Sequence, residues 1–226
     1  MIKSKKLLAV AMVGALGLAA CGSDDDASTD GEAATDGEGG SICEVTDVGG
    51  VDDKGFNQIA FEGAERAAAA FGLTSEVLES ASDADYETKI QSFIEKDCSL
   101  IVTVGFLLGD ATAAAAATNP DQQFAIIDVG YEEAIPNVLT LNFSTAEPSF
   151  LAGYLAAGMT ATGKVATYGG INIPPVTIFM DGFANGVTYY NEQKGAAVEV
   201  LGWDVEAQDG SFAGNFENLD DGKALA

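Results

Sequence analysis

The chain has 226 residues and contains no histidine, ten Lys and Arg against 35 Asp and Glu, and three cysteines. The missing histidine removes the commonest general base and metal ligand, which counts against an enzyme. Scarce basic residues, with a formal net charge of −25, argue against nucleic acid or anionic lipid as a partner, because both need a basic patch. The surplus of acid is most simply an aid to solubility and identifies no ligand. With no histidine available, the cysteines do not assemble a metal site, and no cofactor is expected. No apolar stretch is long enough to cross a bilayer. Leu7 to Ala20 is an unbroken apolar run of 14 residues, too short to cross the ~30 Å hydrocarbon core as a helix.

That run fits a different purpose. Lys3, Lys5 and Lys6 precede it as a basic n-region, so residues 1–20 read as a signal peptide. Leu18-Ala19-Ala20-Cys21 fits a bacterial lipobox, in which the Cys21 thiol accepts a diacylglycerol after cleavage. The alternative is an ordinary secretory signal with a cysteine there by chance. Residues 21–41 follow as a tether of Gly, Ser, Ala, Thr, Asp and Glu, with seven acidic residues and no Lys or Arg in Gly22 to Gly40. Such a segment cannot bury apolar surface and its charges repel, so it is expected to stay extended. It would span roughly 25 Å and let a globular part clear the membrane surface. Cleavage would leave 7 basic and 35 acidic residues. The expected location is the outer face of the cell membrane, held by the lipid.

Two cysteines remain, Cys43 and Cys98, each at the start of an expected strand. Outside the cytoplasm an even pair invites a disulfide, and the alternative is two buried thiols.

From Ile42 onward strands and helices alternate. Strands are expected at Ile42 to Val48, Glu76 to Leu78, Leu100 to Val104, Phe124 to Val129 and Val138 to Phe143. Helices are expected at Phe56 to Phe71, Asp83 to Lys96, Leu108 to Thr118 and Ala146 to Thr162. Continuous apolar strands separated by helices indicate a parallel sheet covered on both faces, a doubly wound α/β lobe over residues 42–162. The pattern restarts at Lys164 to Tyr168, continues through a helix at Val176 to Asn191 and a strand at Ala197 to Leu201, and ends in a helix from Asn218. Residues 163–226 are too few to cover both faces of a second sheet. A partial second lobe in a truncated chain is therefore expected, the alternative being a complete protein with a small appendage.

Ligands of such sheets bind at the carboxyl ends of the strands. Asp47, Phe106 and Asp128 all fall there. In Asp47-Val48-Gly49-Gly50-Val51-Asp52-Asp53-Lys54-Gly55-Phe56-Asn57, the glycines turn the backbone and Asp52 or Asp53 can cap the next helix. Phe56 and Asn57 then place an aromatic face beside an amide, which suits a flat ligand with hydrogen-bonding edges. Equally, Phe56 could serve the core and Asn57 the helix start.

The Asp47, Gly49, Asp52 or Asp53, Phe56, Asn57 spacing resembles the basic membrane protein family, also called the purine nucleoside receptor A family. The resemblance extends through Val104-Gly105-Phe106, Ala125-Ile126-Ile127-Asp128 and Phe150-Leu151-Ala152-Gly153-Tyr154-Leu155-Ala156-Ala157. It continues in Gly169-Gly170, Pro174, Val176, Phe179, Gly182-Phe183, Gly186 and Gly210-Ser211-Phe212. It implies a type I periplasmic-binding-protein fold of two Rossmann-like lobes that closes on a nucleoside, acts as a monomer and docks on an ABC permease. Phe56 and Phe212 would sandwich the base, Asn57 and Asp128 would read polar edges, and Asp47 would line the cleft with Phe106 and Phe179. The chain departs from the family in its acidity and in stopping short of the family's length. Three rival readings stand beside this one: a binder of a pentose or other small sugar, a ligand-sensing lipoprotein, and a nucleoside hydrolase using Asp47, Asp52 and Asp53.

Overall fold

In the computed structural model, which describes residues 39–226, strand β1 (Ser41–Val45) lies inside a five-stranded sheet. The signal peptide, Cys21 and the tether up to residue 38 fall outside the described residues. Beside β1 run β2 (Thr74–Leu78) and β3 (Leu100–Val104), and β4 (Phe124–Ile127) and β5 (Val138–Leu141) complete the order β2-β1-β3-β4-β5. All four pairings are parallel. Parallel neighbours need long crossovers, here provided by α1 (Phe56–Phe71), α2 (Tyr86–Glu95) and α3 (Gly109–Thr118). The chain leaves β1 towards β2 and then passes back to β3, so the strand order reverses between β1 and β3. Ligand crevices open at such a point.

Alternation along β1 divides two cores. Cys43 and Val45 point to one face and pack with Ile101, Phe124 and Ile126 beneath Tyr86, Ile90 and Phe93 of α2. Ile42 points to the other, under Ala64 and Ala68 of α1. A disulfide joins Cys43 to Cys98, with Cα atoms 6.1 Å apart, and ties β1 to the turn that enters β3.

Several elements end earlier than their apolar runs. β1 stops at Val45 because Thr46 to Gly49 forms a turn, in which the Gly49 N–H donates to Asp47 Oδ1. β4 stops at Ile127 because Asp128 takes a left-handed φ of 64°. The first turn of the expected 83–96 helix is a 3-10 turn, Asp83–Asp85, where Asp85 accepts the Ser82 and Ala81 N–H groups.

The second part of the chain contains α4 (Ala146–Met159), β6 (Lys164–Ala166), α5 (Pro174–Lys194), β7 (Glu199–Leu201), a short antiparallel hairpin β8 (Trp203–Asp204) and β9 (Asp209–Gly210), and α6 (Leu219–Leu225). β6 and β7 pair in parallel. The hairpin was not legible in the sequence, being two residues per strand. α4 packs along α5, backbone against backbone. A Cβ at Gly186 would lie 2.0 Å from the Phe150 carbonyl oxygen, so only glycine permits this approach. In packing, α4 therefore groups with α5 and β6, although the sequence reading places it in the first lobe. Among the described residues no helix is long and apolar enough to cross a membrane.

Candidate ligand-binding cleft

The loop after β1 is held by one side-chain network. Asn57 Nδ2 donates to Asp47 Oδ1 at 2.7 Å and to Asp53 Oδ2 at 3.1 Å, while the Asp47 N–H donates to Asn57 Oδ1 at 3.2 Å. Asp53 also accepts the N–H groups of Gly55, Asn57 and Gln58, and so fills the positive end of α1. Burial alone would raise the Asp53 carboxyl, but these donors outweigh it and hold it below the usual carboxylate range. Asn57 is 1% exposed and both of its amide hydrogens are committed to the loop. Asn57 lines the cleft, and its bonds to Asp47 and Asp53 give it a positioning role in the loop there. The alternative assignment of Asn57 to the helix start describes its geometry.

Above this network a cleft of about 330 Å³ opens at the carboxyl ends of β1, β3 and β4. Small-molecule sites begin at about this size. The first part of the chain contributes Asp47, Phe56, Phe106 and Asp128, and the start of α5 contributes Ile173, Pro175, Val176 and Phe179. Phe56, Phe106 and Phe179 are 39%, 37% and 47% exposed, an unusual condition for phenylalanine that leaves ring faces open. Asp128 is half-buried, and burial pushes its carboxyl above the usual range. Its backbone is fixed by its N–H donating to the Leu141 carbonyl at 3.0 Å.

Phe212 lies elsewhere. Its ring packs edge-on against Trp203, centroids 6.0 Å apart, in a small core with Val176 and Met180. The aromatic that lines the cleft from this side is Phe216, 52% exposed, with Glu217 next to it. The chain carries two Gly-polar-Phe triplets four residues apart, Gly210-Ser211-Phe212 and Gly214-Asn215-Phe216. Nothing local separates them. The β8–β9 hairpin does, by turning Phe212 inward onto Trp203. Ile173 and Pro175 were also not anticipated.

Asp52 is outside the cleft lining, and Asp47 and Asp53 are engaged with the loop and α1. Among the described residues no three His, Cys, Asp or Glu side chains are grouped to hold a metal ion. A doubly wound parallel sheet with an aromatic, acid-edged cleft at its switch point defines a solute-binding protein of the type I periplasmic class.

Comparison with known proteins carries this further. The profile of the Bmp family, described as ABC transporter substrate-binding protein PnrA-like, matches residues 42–213. A CD4+ T-cell-stimulating antigen of Listeria monocytogenes is 34% identical over 97% of this chain and 59% of its own length. The ABC transporter nucleoside-binding protein BmpA of Lactococcus lactis is 32% identical over 96% of this chain and 59% of its own. Among solved structures, an ABC transporter solute-binding protein from Aeropyrum pernix is 33% identical, with a TM-score of 0.70 over 82% of this chain and 50% of that one. The chain belongs to the Bmp family of ABC-transporter substrate-binding proteins, a family of binders and not of enzymes. It spans about 59% of the length of the first of these curated relatives.

Proposed function

We propose that the protein captures a nucleoside, a purine nucleoside by preference, and delivers it to an ABC permease. The observation that carries this reading is the set of open phenylalanine faces, Phe56, Phe106, Phe179 and Phe216, around a cleft whose unengaged polar groups are carboxylates. A base is flat and stacks on such rings at about 0.5–1.5 kcal/mol each beyond area burial. Ribose hydroxyls are donors, and an ionised carboxylate such as Asp128 can accept two of them. The Lactococcus relative described as nucleoside-binding supports the same ligand class. In this reading Cys21 carries the lipid, the globular part works as a monomer outside the membrane, and the permease is its membrane partner.

The experiment is a thermal-shift panel of purine and pyrimidine nucleosides, free bases and pentoses. Stabilisation should reach roughly 2.7 kcal/mol at a hundredfold excess of ligand over Kd. A shift with pentoses alone would remove the nucleoside reading. Release of free base from inosine would instead favour hydrolysis.

A further inference from the structure

Resting on the reading of this cleft as the ligand site, we propose that one buried water sits behind Asp47, held by the hydroxyls of Ser80 and Tyr86. Through that water Tyr86 acts as a positioning residue for the Asp47 oxygen that meets the ligand. The two oxygens of Asp47 are used differently. Oδ1 accepts from Asn57 Nδ2 at 2.7 Å and from the Gly49 N–H at 3.0 Å. Oδ2 accepts from no group among the described residues. It lies over Gly105 at the end of β3, where a Cβ would come within 3.2 Å of it. Asp47 and Gly105 line the cleft together, which leaves Oδ2 as the oxygen open to a ligand.

Two buried hydroxyls stand behind this carboxylate. Tyr86 opens α2, is 2% exposed and belongs to the core cluster of Val45, against which Leu107 of the cleft lining also packs. Ser80 follows β2 and is 4% exposed. Its N–H donates to Thr46 Oγ1 at 3.2 Å, and Thr46 Oγ1 donates to the Asp47 carbonyl at 2.8 Å. The chain between Ser80 and Tyr86 folds back on itself, because Asp85 accepts the N–H groups of Ala81 and Ser82. Both hydroxyl oxygens are buried with no hydrogen-bond partner among the described residues. Burial first, and then the charges of Asp47, Asp83, Glu217 and Asp85, push the Tyr86 phenol up to about 12, so it stays a donor. Asp47 and Glu217 both line the cleft, which sets this hydroxyl beneath the cleft floor. Buried waters typically make about three hydrogen bonds to polar groups that otherwise lack partners. Ser80 Oγ, Tyr86 Oη and Asp47 Oδ2 supply such a set. The water accepts from Tyr86 and donates to Asp47 and to Ser80. It fixes the direction of the carboxylate before a ligand arrives, so less ordering is left to binding.

The test uses the full chain. A crystal structure that resolves waters should show one within hydrogen-bond distance of Ser80 Oγ, Tyr86 Oη and Asp47 Oδ2. Empty density there, or a direct bond between the two hydroxyls, overturns the proposal. Tyr86→Phe keeps the ring in the core and removes only the hydroxyl. With the water in place its urea midpoint should fall slightly, whereas deleting an unsatisfied hydroxyl would raise it; a raised midpoint overturns the water. Calorimetric titration with adenosine and with ribose then compares the parent, Tyr86→Phe, Ser80→Ala and the double variant. Whichever ligand binds, Tyr86→Phe should weaken it about fivefold. The double variant should lose under about twofold more than Tyr86→Phe, because the two hydroxyls share one water. Unchanged affinity in Tyr86→Phe overturns the positioning role, and losses that multiply in the double variant overturn the shared water. Binding of ribose without adenosine removes the nucleoside reading and leaves the coupling to be measured with ribose. Binding of neither overturns the positioning role, and the water itself is then decided by the density and the midpoint.

Discussion

Asp47 and Asn57, ten residues apart, bond to each other twice: the Asn57 amide donates to the Asp47 carboxylate, and the Asp47 backbone N–H donates back to the Asn57 carbonyl. This reciprocal pair closes the loop between β1 and α1 and fixes where Phe56 enters the cleft. Asn57→Leu would keep the volume and remove all of these bonds. It would leave the Asp47 N–H without a partner and the Asp47 carboxylate with only the Gly49 N–H, at about 1–3 kcal/mol. Urea unfolding should show that loss, and ligand affinity should fall with it, because Phe56 is no longer held. Loss of affinity with unchanged stability would instead place Asn57 on the ligand.

Phe212 and Phe216 should separate stability from binding. Phe212→Ala removes a ring from the Trp203 core and should lower stability by roughly 2–4 kcal/mol, with little change in the affinity of the folded fraction. Phe216→Ala removes an exposed ring from the cleft and should leave unfolding nearly unchanged while weakening a stacked ligand by up to about tenfold. Thermal melts and titrations on both variants decide it. The opposite pattern would return the sandwiching role to Phe212.

These two rings mark the limit of what could be read in advance. The parallel sheet was legible because Leu100 to Val104 and Phe124 to Ile127 are continuous apolar runs, which only a doubly covered strand requires. The first wall of the cleft was legible because Asp, Gly, Phe and Asn each have a local reason to stand at a strand-to-helix turn. The second wall depends on which of two similar triplets faces inward, and a two-residue hairpin decides that through a tertiary contact. The role of Asn57 was ambiguous for another reason: its amide chemistry suits a ligand or a loop equally, and only the positions of Asp47 and Asp53 select the loop.

The Cys43–Cys98 disulfide spans 55 residues of sequence, enclosing α1, β2 and α2. Closing a loop of that length in the unfolded chain contributes about 4 kcal/mol in the chain-entropy account. Cys43→Ala with Cys98→Ala should lower the unfolding free energy by about that amount. The bridge lies in the core under α2, away from the cleft lining, so ligand affinity of the folded variant should hold. Equal stability of parent and double variant would mean that the thiols are not joined in solution.

Glu44 should make stability depend on pH. It stands between Cys43 and Val45 on β1, so alternation turns it to the α1 face with Ile42, and it is 0% exposed with neither carboxylate oxygen bonded. Burial pushes its carboxyl up from 4.5 to about 8. The unfolded chain releases this proton near pH 4.5 and the folded chain keeps it to about pH 8, so between these values the folded state holds one more proton. Stability is then full below pH 4.5 and falls by about 1.4 kcal/mol per pH unit on the way to pH 8. Glu44→Leu removes both the carboxyl and the slope. Urea titrations at pH 5, 6 and 7 should show the variant gaining on the parent by roughly 2–3 kcal/mol across that range. A gap that stays constant with pH would mean that Glu44 titrates as a solvated carboxylate, and that α1 does not seal this strand.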